Sequence, residues 1–195
     1  MDAIGVIILA AGASVRLGKP KQLVSFRGRS LLRHAAQTAL ASACRPVIVV
    51  LGADAARLER ELNGLPVTRV INSNWERGMS SSIGAGLKAA PVAQTEALIL
   101  MVCDQPMISP QLLDRLALLH KSTGRGIVAA EYAGTRGVPA LFSRPYFAQL
   151  AALPSREGAK SIIVKHSHDV AAVPFPEGAI DIDTPADMLR MESAE

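Results

Sequence analysis

The chain has 195 residues, 49% of them hydrophobic and 19% charged, a balance that excludes a disordered or fibrous protein and fits one compact domain across 1–195. Its 21 Lys and Arg against 17 Asp and Glu leave a formal charge of +4, too small an excess to point to nucleic acid but suited to anionic small ligands. The two cysteines, Cys44 and Cys103, lack CxxC or Cys/His spacing, which speaks against a disulfide framework or a zinc site. No apolar run nears the roughly 18 residues of a membrane span, and Asp2 stands where a signal peptide would be basic, so a cytoplasmic protein is expected.

Short β-branched runs alternate with longer helical patterns, the signature of βαβ units and a mostly parallel sheet covered on both faces. Val6–Leu9 reads as the first strand, followed by a helix over Leu31–Ala43 capped by Ser30, and a buried strand over Pro46–Leu51. A helix over Asp54–Leu62, a strand over Val67–Ile71, a helix over Ser80–Ala89 and a strand over Ala97–Val102 continue the alternation. Ser109 and Pro110 open a helix running to about Lys121, Ile127–Tyr132 returns to strand, and Val138–Phe142 reads as its hairpin partner. Ser143 and Thr184 are expected N-caps, with Asp187 closing a capping box on Thr184. Stacked by right-handed crossovers, these units make a three-layer α/β/α sandwich whose ligand crevice lies at the carboxyl ends of the strands.

The loops leaving those ends are where chemistry is sought. The first runs from Leu9, Ala10, Ala11 and Gly12 to Arg16, Lys19 and Lys21; its small residues let backbone amides approach a phosphate, and its cations suit one. It is neither a P-loop, because five residues separate Gly12 from Gly18, nor GxGxxG, because Ser14 follows Gly12 by two. A flexible basic loop is the bland alternative. Asp104, after the apolar run ending at Cys103, reads equally as a turn former and as a hard-cation ligand or catalytic acid. Asp181 and Asp183 alternate to one side and by themselves read better as residues flanking a helix cap. Gly78, Ser80 and Ser81 read as a helix N-terminus whose amides and hydroxyls suit a polar ligand. His34 and His120 fall in helical patterns, and His166 and His168 lack a third ligand for a metal. Between Asp2 and Asp54 there is no acidic residue, while the last twenty positions are mostly acidic among their charges.

Taken together, LAAGASVRLGKPKQL at 9–23, NSNWERGMSSSIGAGL at 72–87, CDQPM at 103–107, RGVPALF at 136–142 and DIDTPAD at 181–187 resemble the motifs of the MobA-like nucleotidyltransferases, particularly the molybdenum cofactor cytidylyltransferases. The resemblance implies a Rossmann-like fold of the nucleotide-diphospho-sugar transferase type and transfer of CMP from CTP, with Mg2+, to a phosphorylated acceptor of molybdopterin kind; the alternatives are GTP as donor or another small phosphorylated acceptor, and a nucleotide-binding partner protein without turnover. It further implies that Leu9, Ala10, Ala11 and Gly12 hold the nucleotide, that Arg16 and Lys21 contact its phosphates, and that Gly78, Ser80 and Ser81 lie near its base. Asp104 and Asp183 match the metal ligands, with Arg16, Lys21 and Asp104 as the catalytic set, and Gly137, Val138 and Pro139 match the part facing the acceptor. A molybdoenzyme or maturation partner is a further implied contact. CTP is expected over GTP because Ala11 stands where guanylyl-transferring relatives usually have a second glycine, and its added methyl would crowd a purine more than a pyrimidine. The usual GDxGAR is replaced by Ser155-Arg156-Glu157-Gly158-Ala159-Lys160, a departure that bears on the acceptor.

Overall fold

The computed structural model describes residues 3–155, 157–184 and 187. Its main sheet has seven strands in the order β5-β4-β1-β6-β8-β7-β9. In chain order these are β1 (Ala3–Ala10), β4 (Val47–Leu51), β5 (Thr68–Ile71), β6 (Thr95–Val102), β7 (Ile127–Tyr132), β8 (Thr135–Ser143) and β9 (Val170–Pro174), while β2 (Ser25–Phe26) and β3 (Arg29–Ser30) form a separate small hairpin. All neighbours in the main sheet are parallel except β8, which runs antiparallel to both β6 and β7. The expected hairpin is therefore present, turning through Ala133 and Gly134, both at positive φ.

Continuous apolar runs in β1, β4 and β6 follow from burial on both faces. One face carries α1 (Leu31–Ala41), α2 (Ala55–Glu61) and α4 (Pro110–Thr123), whose Leu32, Leu58 and Leu113 pack with Ile8, Val49 and Ile99. The other carries α3 (Met79–Ala89), α5 (Phe147–Ala151) and α6 (Lys160–Lys165), whose Ile83, Leu150 and Ile163 pack with Ile7, Val50 and Phe142. The α/β/α layering is as expected.

Element ends differ in instructive ways. Helix α3 begins one residue early, at Met79, because Gly78 at φ 100 breaks the preceding turn. Ser30 and Ser109 cap α1 and α4 through their side chains, whereas Ser143 makes no side-chain cap and Asp54 precedes α2 at φ 55 without one. Thr184 and Asp187 exchange the reciprocal bonds of a capping box; the helix they would begin lies outside the described residues, as does Arg156. Strand β9 and helices α5 and α6 are additions to the expected set. Val170–Pro174 is short and alanine-rich, so only its parallel pairing with β7 makes it a strand.

At the amino edge of the sheet, the Asp169 carboxylate accepts from Tyr146 Oη (2.7 Å) and from the Gly126 N–H (3.0 Å), fastening β9 to β7 and the turn before α5. Burial opposes ionisation of Asp169, but these bonds and the Arg125 charge hold its carboxyl below the usual value; Tyr146 is pushed up to about 12 by burial and by Asp169. A depressed carboxyl stabilises above its unfolded value near ~3.9 and loses that contribution as pH falls through the folded value. Asp169→Asn should therefore lower stability by about 1–2 kcal/mol at pH 7, with the gap to wild type closing in strong acid as pH falls through the folded value. Thermal melts in both conditions check this, and an equal gap in both would refute it.

Candidate functional site

Three chain segments converge at the carboxyl edge of the sheet. The loop after β1 passes through Ser14 at φ 55 into two 3-10 turns, Val15–Leu17 and Lys21–Leu23. The segment after β6 carries Cys103 and Asp104. The third follows β9 through a 3-10 turn at Pro176–Ala179 to Asp183. What joins the third to the others is Ile182. It is 1% exposed, its N–H donates to the Asp104 carbonyl (3.0 Å), and it packs with Leu17, Val24, Phe26 and Leu31 in a small core. The neighbours in sequence of Leu17 and Ile182 are Arg16 and Asp183, so this apolar cluster sets the charged side chains beside one another.

Lys21 Nζ donates to both Asp104 Oδ2 and Asp183 Oδ1, the latter at 2.9 Å, and Arg16 Nη2 donates to Asp183 Oδ2 at 2.6 Å. Two carboxylate oxygens sharing one ammonium lie within roughly 6 Å of each other. Asp104 and Asp183, 79 positions apart in number, thus stand close enough to bind one ion. Burial alone would depress Lys21, but the charge of Asp104 and the bonds to both carboxylates raise it well above the ordinary lysine range. Asp183 is held below the usual carboxylate value by the Lys21 hydrogen bond, against burial, with help from the Lys21 and Arg16 charges. The carboxyl that is raised is Asp181, through burial and the charges of Asp183 and Asp104.

Arg16 and Lys21, expected at the phosphates of a nucleotide, lie on the carboxylates of Asp104 and Asp183 in this structure, where cations and acids at one edge neutralise each other. Lys21 lies between the two acids and offsets their mutual repulsion. A hard cation still fits here. Asp104 Oδ1 is buried with no hydrogen-bond partner, an acceptor left open on a carboxylate that holds Lys21 with its other oxygen. Among the described residues no group of three or more His, Cys, Asp or Glu is arranged as a metal cluster.

The other expected residues fall around this centre. Leu9, Ala10, Ala11 and Gly12 sit at and beyond the end of β1. The Ala11 methyl does not face outward: Ala11 is 5% exposed and belongs to the core that includes Trp75. Crowding of a purine by that methyl is therefore not available as a reason for base choice. Gly52, just past β4, was not singled out in the sequence; a Cβ there would meet Trp75 Cβ at 2.6 Å and the Ala11 carbonyl oxygen at 2.7 Å. Only a glycine lets β4 lie under both. Ser80 is buried, and Ser81 Oγ accepts from Asn72 Nδ2 (2.8 Å) and bonds back to Gly78 O (2.8 Å), so its hydroxyl closes the loop ahead of α3. Ser80 and Ser81 also line a cleft of about 710 Å3 with Asn72, Arg77, Lys88 and Phe147. That cleft does not include Lys21, Asp104 or Asp183; the chemistry-bearing cluster is the better guide to the site. Gly137, Val138 and Pro139 are in β8 at the same carboxyl edge. Tyr132 Oη donates to Val138 O there, and Gln105 Nε2, on the residue after Asp104, donates to Gly178 O.

Residues 6–170 match the profile of the MobA-like NTP transferase domain. The chain belongs to this family. It is 28% identical to the molybdenum cofactor cytidylyltransferase of Escherichia coli over 97% of this chain and 95% of that protein. It is 41% identical to nicotine blue oxidoreductase of Paenarthrobacter nicotinovorans over 116 residues, covering 59% of this chain and spanning 56% of that relative's length. Rv0371c of Mycobacterium tuberculosis superposes with a TM-score of 0.84 at 27% identity, covering 98% of both chains. Its manganese complex superposes with a TM-score of 0.79 at 26% identity, over 99% of this chain and 100% of that one. The family is one of nucleotidyltransferases, and the fold described above is shared with Rv0371c.

Because Lys21 holds two acids, its loss has a structural consequence. The raised lysine contributes stability below its unfolded value near ~10.4, lost as pH rises through the folded one; the depressed Asp183 contributes above ~3.9, lost as pH falls through its folded value. Lys21→Ala should lower stability by about 1–3 kcal/mol between those limits. The loss should shrink as pH falls through the carboxylate range and on adding millimolar Mg2+ or Mn2+. Melting curves across pH and metal concentration check this, and a variant insensitive to both would show that the pair carries no strain.

Proposed function

We propose that this protein transfers CMP from CTP to a phosphorylated acceptor of molybdopterin type, with release of pyrophosphate and dependence on Mg2+. The observation that carries the proposal is the bridging of Asp104 and Asp183 by Lys21, with Arg16 alongside, at the mouth of the loop after β1. That is the equipment of phosphoryl chemistry, two acids for a hard cation and two mobile cations for phosphate oxygens, with no need of a protein nucleophile. The near full-length relation to a molybdenum cofactor cytidylyltransferase supports CTP and the acceptor class.

In the reaction, an anionic oxygen of the acceptor phosphate attacks the α-phosphorus of CTP. The bond to the β-phosphate bridging oxygen breaks, and pyrophosphate leaves with that electron pair. The backbone from Leu9 to Gly12 takes the nucleotide, with Gly78, Ser80 and Ser81 beside its base and Gly137, Val138 and Pro139 toward the acceptor. Asp104 and Asp183 would hold the Mg2+, which when bound supplies positive charge to the phosphoryl oxygens. Lys21 and Arg16, paired with those acids in this structure, turn to the phosphates and offset the charge that spreads over them. Lys21 gives two of its three N–H donors to the acids, so a phosphate oxygen takes the third or replaces one of these partners. Cytoplasmic location and a molybdoenzyme or maturation partner belong to the same reading.

A second reading comes from the 41% identity over 116 residues to nicotine blue oxidoreductase: oxidation or reduction of a substrate held at the same edge. One panel separates the two. Purified protein with Mg2+, CTP or GTP, and phosphorylated acceptors is assayed for pyrophosphate, and with reduced dinucleotide and quinonoid dyes for loss of dinucleotide absorbance. Pyrophosphate with CTP above GTP is expected. Nucleotide binding without pyrophosphate, or dinucleotide oxidation alone, would overturn the proposal. Asp104→Asn and Asp183→Asn should each cut turnover by about 10²-fold or more, and the double variant should be little worse than either because both remove one ion. Independent, multiplying losses in steady-state kinetics would count against a shared site.

A further inference from the structure

Gln22 follows Lys21 in sequence but turns inward and is 1% exposed. Its Nε2 donates to two main-chain carbonyls, those of Ala10 (3.0 Å) and Gly12 (2.8 Å). Its Oε1 accepts from Ser14 Oγ (3.3 Å), and Ser14 Oγ in turn accepts from the Lys21 N–H (3.0 Å). Every polar atom of the buried amide is thus spent on the loop after β1 and on the residue that carries the phosphate-directed ammonium.

The geometry has a directional result. In a trans peptide the N–H points opposite to the C=O of the same plane. Drawing the Ala10 and Gly12 carbonyls toward Gln22 turns the N–H groups of Ala11 and Ala13 away from it. The carbonyl between them, that of Ala11, accepts from the Ala53 N–H at 3.0 Å, which pins the alternate peptide from another side. The N–H groups of Gly12 and Ala13 meet no acceptor among the described residues. We propose that Gln22 is a positioning residue whose amide, by holding the Gly12 carbonyl, aims the Ala13 N–H at the polyphosphate of the nucleotide and, through Ser14, keeps it in register with Lys21. This rests on the nucleotidyltransfer reading and adds to it the device that shapes the anion-binding backbone. Gln22 touches no reacting atom; it acts through the peptides it holds.

The role separates from plain core packing by what it moves. Gln22→Met keeps the length and burial but loses both donors, and Gln22→Glu keeps the acceptor for Ser14 while setting a negative charge against two carbonyls. Ser14→Ala, which leaves the Gln22 amide in place, is the milder companion should either fold poorly. In calorimetry of the full chain with CTP and Mg2+, Gln22→Met should weaken binding by about tenfold, Gln22→Glu by more, and Ser14→Ala by roughly threefold. The KM for CTP should rise in step, while kcat at saturating CTP and the KM for the acceptor stay near wild type. Wild-type CTP affinity in folded Gln22→Met, with only a lowered melting temperature, would overturn the role of Gln22 and leave the reaction untouched. No CTP binding by the wild-type protein would overturn the nucleotidyltransfer reading, and the role of Gln22 with it.

Discussion

The ammonium of Lys21 between the carboxylates of Asp104 and Asp183 is the contact on which the carboxyl edge of this sheet depends. Two acids from distant parts of the chain would repel if left facing each other at low exposure. Lys21 cancels that repulsion, and its own partial burial is tolerated because both acids hold it. The same interaction makes the site responsive. Its parts are individually suited to other partners, the acids to a hard cation and the lysine to phosphate, so a ligand carrying both replaces one balanced set of charges with another.

That electrostatic centre stands on apolar supports. The small core of Leu17, Val24, Phe26, Leu31 and Ile182 lies beneath it and is contributed by the first loop, the β2–β3 hairpin, the start of α1 and the segment after β9. Without this cluster, Arg16 and Asp183 would be surface charges on unrelated loops, and exposed pairs of that sort are worth little. The hairpin, short and otherwise unexplained, is the platform that carries Phe26 into that core. Gly52 plays a similar part from below, since β4 can underlie Ala11 and Trp75 only where no side chain intervenes.

Fold and family were legible in the sequence for a simple reason. Apolar runs in β1, β4 and β6 are buried on both sides and so read without ambiguity, and helix signals such as Ser30 and the Ser109-Pro110 pair are local chemistry. Strand β9 escaped because Val170–Pro174 is a short run holding two alanines and a proline, residues that do not favour strands, and becomes a strand only by pairing with β7. The Ala11 argument failed because the direction of one methyl depends on Gly52 and Trp75, which are remote in sequence.

By itself the sequence determined the α/β alternation, the loops that face the crevice and the residue types, two acids and two cations, of which the proposed phosphoryl-transfer site consists. The tertiary structure decided which of them touch. A parallel sheet brings the ends of distant strands to one edge, and only packing of Ile182 against the first loop puts Asp183 on Lys21 rather than elsewhere along that edge. It also decided that Gln22 points inward while its neighbour Lys21 points to the acids. Adjacent residues in a tight turn carry no signal of which side each will face until the surrounding backbone supplies carbonyls to bind.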